Sequence, residues 1–365
     1  MKHFILIFLM ILITSCKEKI QEDNYNTSKI SLGDFESEKL NGKIISIDNS
    51  IEFSGILTLD TLLLMKTSSK HKEYFKIYNT QNCDFLGDIG ERGEAPHQWK
   101  FVVTNDLLTK NDNEYHIWVS DRFDGYLKQV NINKSLDSEN ELPIYNNEYS
   151  INANLFPFNR VYALDGYLIG DTGYEDESFS RFKKMDLETK EIEYIPFFPK
   201  IKDFQKIPAP VLYNIYVGAL KKHPNKNIFV STPSTFNRID FLNDNLEVYK
   251  SIVDGDNWKD NYYDANEIDI ASDQTYEMQD GHHSTNVTEN YIFTRYRNIS
   301  KEIDGRQNKE ESMIKVLDWE GNPIKLLYLD CDAFTFAYNE KLKTLFVVDI
   351  VNEHILTYNL NGVLP

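Results

Sequence analysis

A short apolar strand that closes on a polar residue recurs six times along this chain: LLLMKT ending at Thr67, HIWVSD at Asp121, GYLIGD at Asp171, NIFVST at Thr232, NYIFTR at Arg295 and TLFVVD at Asp349. The closing positions stand 50 to 63 residues apart. Each is followed by a second strand with Asn or Asp set among apolar residues: FKIYN at Asn79, KQVNI at Asn131, FKKMDL at Asp186, NRIDF at Asp240, IKVLDW at Asp318 and LTYNL at Asn359. Self-similarity at this period marks a repeat architecture. Most units run on through a polar turn into a further strand, as in MDLETKEIEYIPF and DWEGNPIKLLYL. The Asn or Asp before such a turn is expected to cap it, because its short side chain reaches the turn backbone and tolerates unusual backbone angles. The strand leading into each unit, such as FNRVYAL before GYLIGD, makes four per repeat. The pattern predicts an all-β chain, a six-bladed β-propeller of four-stranded blades over residues 35–365.

The final unit is one strand short, because the chain reaches NLNGVLP directly after its third strand. The segment GKIISID, residues 42–48, has no blade of its own. It is expected to pair beside residues 354–360 and close the ring, which hides two open sheet edges. Residues 254–282, between the fourth and fifth units, exceed an ordinary connection and read as an insertion that either serves function or covers one face.

The first 16 residues, MKHFILIFLMILITSC, combine a basic start, an apolar run from Phe4 to Ile13 and small residues before Cys16. The run is about half the ~20 apolar residues of a spanning helix, so residues 1–15 read as a signal peptide. The tetrad Ile13-Thr14-Ser15-Cys16 has the form of a lipobox, with cleavage before Cys16 and diacylation of its thiol. The polar stretch after it makes residues 16–34 a flexible tether, and membrane attachment is expected through Cys16 alone.

A net charge of −18 and the lack of a dense Lys/Arg run argue against nucleic acid as a partner. The stretch GDIGERGEAPHQW, residues 87–99, spaces glycines at Gly87, Gly90 and Gly93. It has neither a following Gly-Lys-Ser/Thr nor Gly-x-Gly-x-x-Gly, so no nucleotide is expected there. A tight crossover between the first two blades explains its glycines.

The lipobox, the six units and this Gly-rich stretch after the first outer strand resemble the TolB-like six-bladed propeller lipoproteins of Bacteroidetes. In that family the stretch tends to run Gly-x-x-Gly-x-Gly-Pro-Gly-Glu-Phe; here Gly90, Gly93 and Pro96 match, while Ala95, His97, Gln98 and Trp99 depart. The resemblance spans the whole mature chain. It implies the propeller fold and an outer-membrane lipoprotein, periplasmic or surface-exposed, without a settled activity. TolB itself uses its propeller as a protein-binding platform.

In a propeller, the loops between second and third strands open on the same face as the loops between blades. The expected ligand-binding set on that face is His97, Trp99, Arg122, Asp171, Arg295, Arg297 and Asp349, with Tyr296 and Trp258 as further aromatic candidates. Arginine offers a fork to carboxylates, and aromatic faces stack on sugars; the competing expectation is that Arg295 simply pairs with a nearby Asp. The reading favours a binding or scaffold module for a protein or glycan partner in the envelope, with no cofactor. The alternative is a metal-assisted lyase or hydrolase at the channel mouth, using His97, His282 and His283 with ring carboxylates. DGDNWKD at 254–260 lacks the order of a calcium loop, and no Gly-x-Ser-x-Gly marks a serine hydrolase. Cys83 and Cys331 are expected to remain separate thiols, because sixth-blade residues would lie between them.

Overall fold

The computed structural model describes residues 26–45, 47, 52–95, 97–121, 125–138, 142–151, 158–172, 180–196, 216–234, 238–254, 281–297, 312–349 and 351–365. The chain begins with three short strands that belong to the far side of the ring: β1 (Asn26–Ile30), β2 (Ser37–Leu40) and β3 (Lys43–Ile44). Blade 1 follows as β4 (Phe53–Leu59), β5 (Leu62–Thr67), β6 (Glu73–Asn79) and β7 (Phe85–Glu91). Blade 2 is β8 (Val102–Asn111), β9 (Glu114–Asp121), β10 (Tyr126–Asn131) and β11 (Ile144–Ser150), with a short helix α1 (Ile132–Leu136) between its last two strands. Blade 3 is β12 (Phe158–Leu164), β13 (Tyr167–Thr172), β14 (Ser180–Asp186) and β15 (Ile192–Pro196). Blade 4 is β16 (Gly218–Lys222), β17 (Phe229–Pro233), β18 (Arg238–Leu242) and β19 (Val248–Asp254). Blade 5 is β20 (Gly281–Val287), β21 (Tyr291–Arg297), β22 (Ser312–Asp318) and β23 (Pro323–Leu329). Blade 6 has β24 (Ala333–Asn339), β25 (Thr344–Asp349) and β26 (His354–Asn359).

Every blade is an antiparallel meander whose four strands stand in chain order, apart from the last. There β3 supplies the missing outer strand, pairing antiparallel with β26 at Leu356↔Ile44 and Thr357↔Lys43. The ring therefore closes where the sequence pattern placed the closure. Second strands such as LLLMKT are buried on nearly every side chain, because each sheet is covered on both faces by neighbouring blades and has no polar face to alternate with. The clusters between blades are apolar: Phe75, Trp99 and Ile117 lie between blades 1 and 2, and Ile56, Met65 and Phe346 between blades 1 and 6.

Most of the repeat Asn and Asp residues cap turns. Gln81 N donates to Asn79 Oδ1 at 2.8 Å, Glu188 N to Asp186 Oδ1 at 2.8 Å, Asn322 N to Asp318 Oδ1 at 2.7 Å and Asn361 N to Asn359 Oδ1 at 2.9 Å. In blade 2 the equivalent Asn131 caps α1 instead, accepting from Lys134 N at 3.0 Å. In blade 4 Asp240 departs altogether: it is fully buried and paired with Arg181 and Arg238, while Asn243 takes the turn, accepting from Asn245 N at 2.9 Å.

The N-terminal segment corrects one expectation. Residues 26–34, read as the end of a flexible tether, are held on the ring. Strand β1 pairs parallel with β19, from Asn26↔Lys250 to Ile30↔Asp254, and β2 pairs parallel with β23. Ile30 and Phe35 sink into the apolar cluster of blades 4 and 5, beside Phe241, Ile252, Leu317 and Trp319. Burying those two side chains is what a solvated tether could not do. The segment thus runs along the outer edges of blades 4, 5 and 6 before entering blade 1.

Cys83 packs at the cluster of blades 1 and 6, Cys331 at that of blades 5 and 6, and both thiols are free. Burial pushes the Cys331 thiol up to about 12, which disfavours the thiolate at neutral pH. The insertion expected at 254–282 falls between β19 and β20, and residues 255–280, Trp258 among them, lie outside the described residues.

Candidate functional site

The inner strand of blade 2 is bulged more widely than those of blades 1, 3, 5 and 6, whose register shifts insert a single residue. Its register against β9 shifts between Thr104 and Leu108, and Asp106 within that bulge has φ 55°. Bulges re-aim side chains; this one sends Asp106 into the central channel. Thr104 Oγ1 donates to Asp106 Oδ1 at 2.7 Å. The Tyr162 hydroxyl, 3.0 Å from Asn105 O and 2.6 Å from Leu220 O, bridges the bulge to blade 4.

Around Asp106 stand three cations from three other blades. Lys66 of blade 1 is hydrogen-bonded to Oδ1, Lys221 Nζ of blade 4 donates to Oδ2 at 2.9 Å, and Arg160 Nε of blade 3 lies 3.7 Å from Oδ2. Burial alone would raise the Asp106 carboxyl, but Lys221, Lys66 and Arg160 outweigh it and hold the group well below the usual carboxylate range. Burial also lowers Lys221, to about 8, against the pull of Asp106. Arg160 divides its charge, since Nη1 lies 3.3 Å from Asp171 Oδ2 and donates to Gly218 O at 2.9 Å. Burial raises the Asp171 carboxyl despite that neighbour.

Above this cluster a pocket of about 900 Å³ opens between blades 1 to 4. Its wall includes Thr67, Ser68 and Ser69 from the β5–β6 loop, Arg92, Lys100 and Phe101 from the β7–β8 crossover, Asp171 at the end of β13, and Tyr216 to Leu220 leading into blade 4. Below it lies a channel space of about 240 Å³ that shares Ser54, Lys66, Asp106 and Arg160. A second cavity of about 670 Å³, lined by Lys110, Trp118, Asn290 and Lys341, opens at the other mouth. The first pocket lies among loops that close second strands and loops that link blades. Its dimensions suit a small molecule or the end of a larger ligand.

Of the residues singled out from sequence, Asp171 is in this pocket. Trp99 is not a loop-face residue: it is 1% exposed, packed against Tyr74 and Phe75 between blades 1 and 2, with Nε1 donating to Tyr145 at 3.0 Å. The crossover folds back on itself, Trp99 N donating to Glu91 O at 2.9 Å and Gly93 N to Trp99 O at 3.1 Å, which carries the indole inward. Gly90, at φ +75°, leaves the room the ring occupies; a Cβ there would stand 1.9 Å from Trp99 Cζ3. His97 is exposed on this crossover and absent from the pocket wall.

Asp349 is also structural. It is buried and closes the β25–β26 turn, accepting from Val351 N at 3.0 Å and Asn352 Nδ2 at 2.8 Å. Arg295 Nη2 donates to Asp332 Oδ1 at 2.7 Å, the competing expectation for that residue, and Tyr296 is buried with Lys315 Nζ 3.5 Å from its ring centroid. Arg122 and the side chains of Arg297, His282 and His283 lie outside the described residues; the backbone of the two histidines belongs to β20 rather than to a free loop. Among the described residues no three His, Cys, Asp or Glu side chains gather as a metal would need.

The residues not singled out from sequence are Arg92, Asp106, Arg160 and Lys66, which line the pocket, and Lys221, which lines the channel space beneath it. One signal for Asp106 was present: Asn105-Asp106 interrupts the apolar strand FVVTNDLLTK, as a bulge does. Arg92 lay inside the Gly-rich stretch. Its guanidinium lies 3.6 Å from the Tyr74 ring centroid, with Nε donating to His71 O and Nη2 to Thr67 O, each at 2.9 Å.

Fold and site together define a closed six-bladed propeller with a polar channel and a pocket at one mouth. The chain belongs to the TolB-like 6-blade propeller-like family, whose model matches residues 51–341. Among solved structures it is similar to a member of the DUF4221 family from Bacteroides vulgatus, at 12% identity with a TM-score of 0.59, covering 89% of this chain and 97% of that one. It is also similar to a protein of Bacteroides fragilis predicted to be exported, at 13% identity with a TM-score of 0.50, covering 91% and 99%. At these identities the likeness concerns the fold. Comparison with curated proteins returned no match.

Proposed function

We propose that this protein is an exported binding module of the cell envelope, anchored by lipid at Cys16, which takes part of a protein or glycan partner into the pocket at the blade 1 to 4 mouth. The pocket carries this reading: four blades contribute to one concave space of mixed polar and apolar lining, set among loops that can vary without disturbing the strands. The envelope address rests on the lipobox sequence ending at Cys16 and agrees with the predicted export of the Bacteroides fragilis relative. An outer-membrane lipoprotein facing the periplasm or the exterior is the corresponding location.

Two variants of the full chain test the pocket. Ser69 is exposed on its wall, so Ser69→Trp sets an indole across the mouth without touching the core. Lys341→Trp does the same at the opposite cavity. Ser69→Trp is expected to abolish capture of envelope peptides or glycans on an array, and Lys341→Trp to leave it intact; the reverse pattern would place the site elsewhere. For the anchor, wild-type chain should take up a fatty-acid label and partition into detergent, and Cys16→Ser should do neither.

A further inference from the structure

The charge of the pocket runs against that of the chain. The whole sequence carries −18, yet the described pocket wall holds five cations, Lys66, Arg92, Lys100, Arg160 and Arg181, against two carboxylates, Asp106 and Asp171. Several of these cations have carboxylates built in for them. Lys66 and Arg160 share Asp106 with Lys221, Arg160 also reaches Asp171, and Arg181 shares Asp240 with Arg238.

Arg92 is held differently. Its Nε donates to His71 O, while Nη2 donates to Thr67 O and lies 3.2 Å from both Thr67 Oγ1 and Ser68 O. Its planar group stacks on Tyr74, and among the described residues no carboxylate pairs with it. Carbonyl oxygens orient a guanidinium without cancelling its charge. The side chain is therefore fixed and half-buried before any ligand arrives, which removes much of the ordering cost of binding. A fixed guanidinium is suited to an oxyanion, which here would accept charge-assisted hydrogen bonds from Nη1, the nitrogen that His71, Thr67 and Ser68 do not engage. Phe101, 47% exposed on the same wall, offers an apolar face for the body of such a ligand.

We propose that the ligand of this pocket bears an oxyanion, a carboxylate or a phosphate, and that Arg92 is its anchor. The inference rests on the pocket being the binding site and adds the chemistry it selects.

Calorimetric titration of the full chain in non-ionic detergent with galacturonate, galactose and inorganic phosphate tests it. Galacturonate is expected to bind at least tenfold more tightly than galactose, with affinity falling as sodium chloride is raised. Phosphate that displaces galacturonate shows that the oxyanion alone suffices, and phosphate binding without galacturonate binding assigns the group as phosphate. Arg92→Gln should weaken the acidic probe at least tenfold and Arg92→Lys less, because the lysine keeps the charge and loses the planar group that the carbonyls of Thr67, Ser68 and His71 hold in place. Glu94→Gln, exposed on the same crossover, should retain at least the wild-type affinity. Unchanged thermal midpoints separate lost affinity from a disturbed crossover; if Arg92→Gln lowers the midpoint, the decision rests on the galacturonate-to-galactose ratio and the salt dependence of the wild type. Equal binding of the two sugars, no binding of any probe, or full affinity in a well-folded Arg92→Gln overturns the inference. Binding of galactose that Ser69→Trp abolishes would keep the pocket as the site while removing the oxyanion.

Discussion

Asp106 sits where four blades meet, and its side chain is the shared counter-charge of Lys66, Lys221 and Arg160. Replacing it by Asn leaves three cations facing one another at the channel centre. Removing one partner of a buried ion pair typically costs about 3–5 kcal/mol, and Asp106→Asn is expected to lose at least the lower part of that range in urea unfolding at pH 7. The pH dependence has a definite sign. The folded carboxyl titrates well below the 3.8 of the free group, so its stabilising contribution is present above pH 3.8 and is lost as pH falls through the folded value. The gap between wild type and Asp106→Asn should therefore close on acidification below about pH 4; a gap independent of pH would show that packing rather than charge is at work. At this scale the sequence was least informative. Asp106 and Asp240 are both acidic residues within apolar strands, as Asp318 is, yet Asp318 caps a turn, Asp106 meets Lys66, Arg160 and Lys221 from three other blades, and Asp240 meets Arg181 from blade 3 as well as Arg238 on its own strand. Which task an aspartate receives depends on neighbours that no local pattern names.

The β7–β8 crossover shows what a single element can reveal. Its glycines could be read as backbone devices, and Gly90, near the end of β7 where the crossover begins, is one, at φ +75° with Trp99 against its Cα. Gly90→Ala combines left-handed strain of about 1–3 kcal/mol with displacement of the indole. It should destabilise the protein by on the order of 3 kcal/mol and shift the intrinsic tryptophan fluorescence; a neutral result would mean that the crossover relaxes independently of blades 1 and 2. The same stretch misled where it mattered for the site. A Trp in a polar loop reads as exposed, but the backbone bonds from Trp99 to Glu91 and Gly93 turn the loop back and bury the ring. Arg92, in the middle of those glycines, drew no notice because its value lies in a ring at Tyr74 and carbonyls at Thr67, Ser68 and His71.

Across the whole molecule, the N-terminal segment acts as a belt over three blades, and only its last portion completes a sheet. Deleting residues 26–45 would open the edge of β26 and uncover the blade 4 and 5 cluster that Ile30 and Phe35 fill. Such a chain should unfold at lower urea concentration, with amide protection lost first at His354–Asn359, as hydrogen exchange can read; unchanged protection there would mean that the belt is only an outer covering. The sequence by itself determined the blades, their number, most of their turns and the closing partner, because recurring apolar strands, turn residues and one missing strand are local or countable properties. Only the tertiary structure decided that residues 26–34 lie on the ring, that Trp99 and Asp349 are buried, and which cations share the channel. The physical reason is the ring itself: it brings side chains more than a hundred residues apart to one axis, where burial and charge depend on every blade at once.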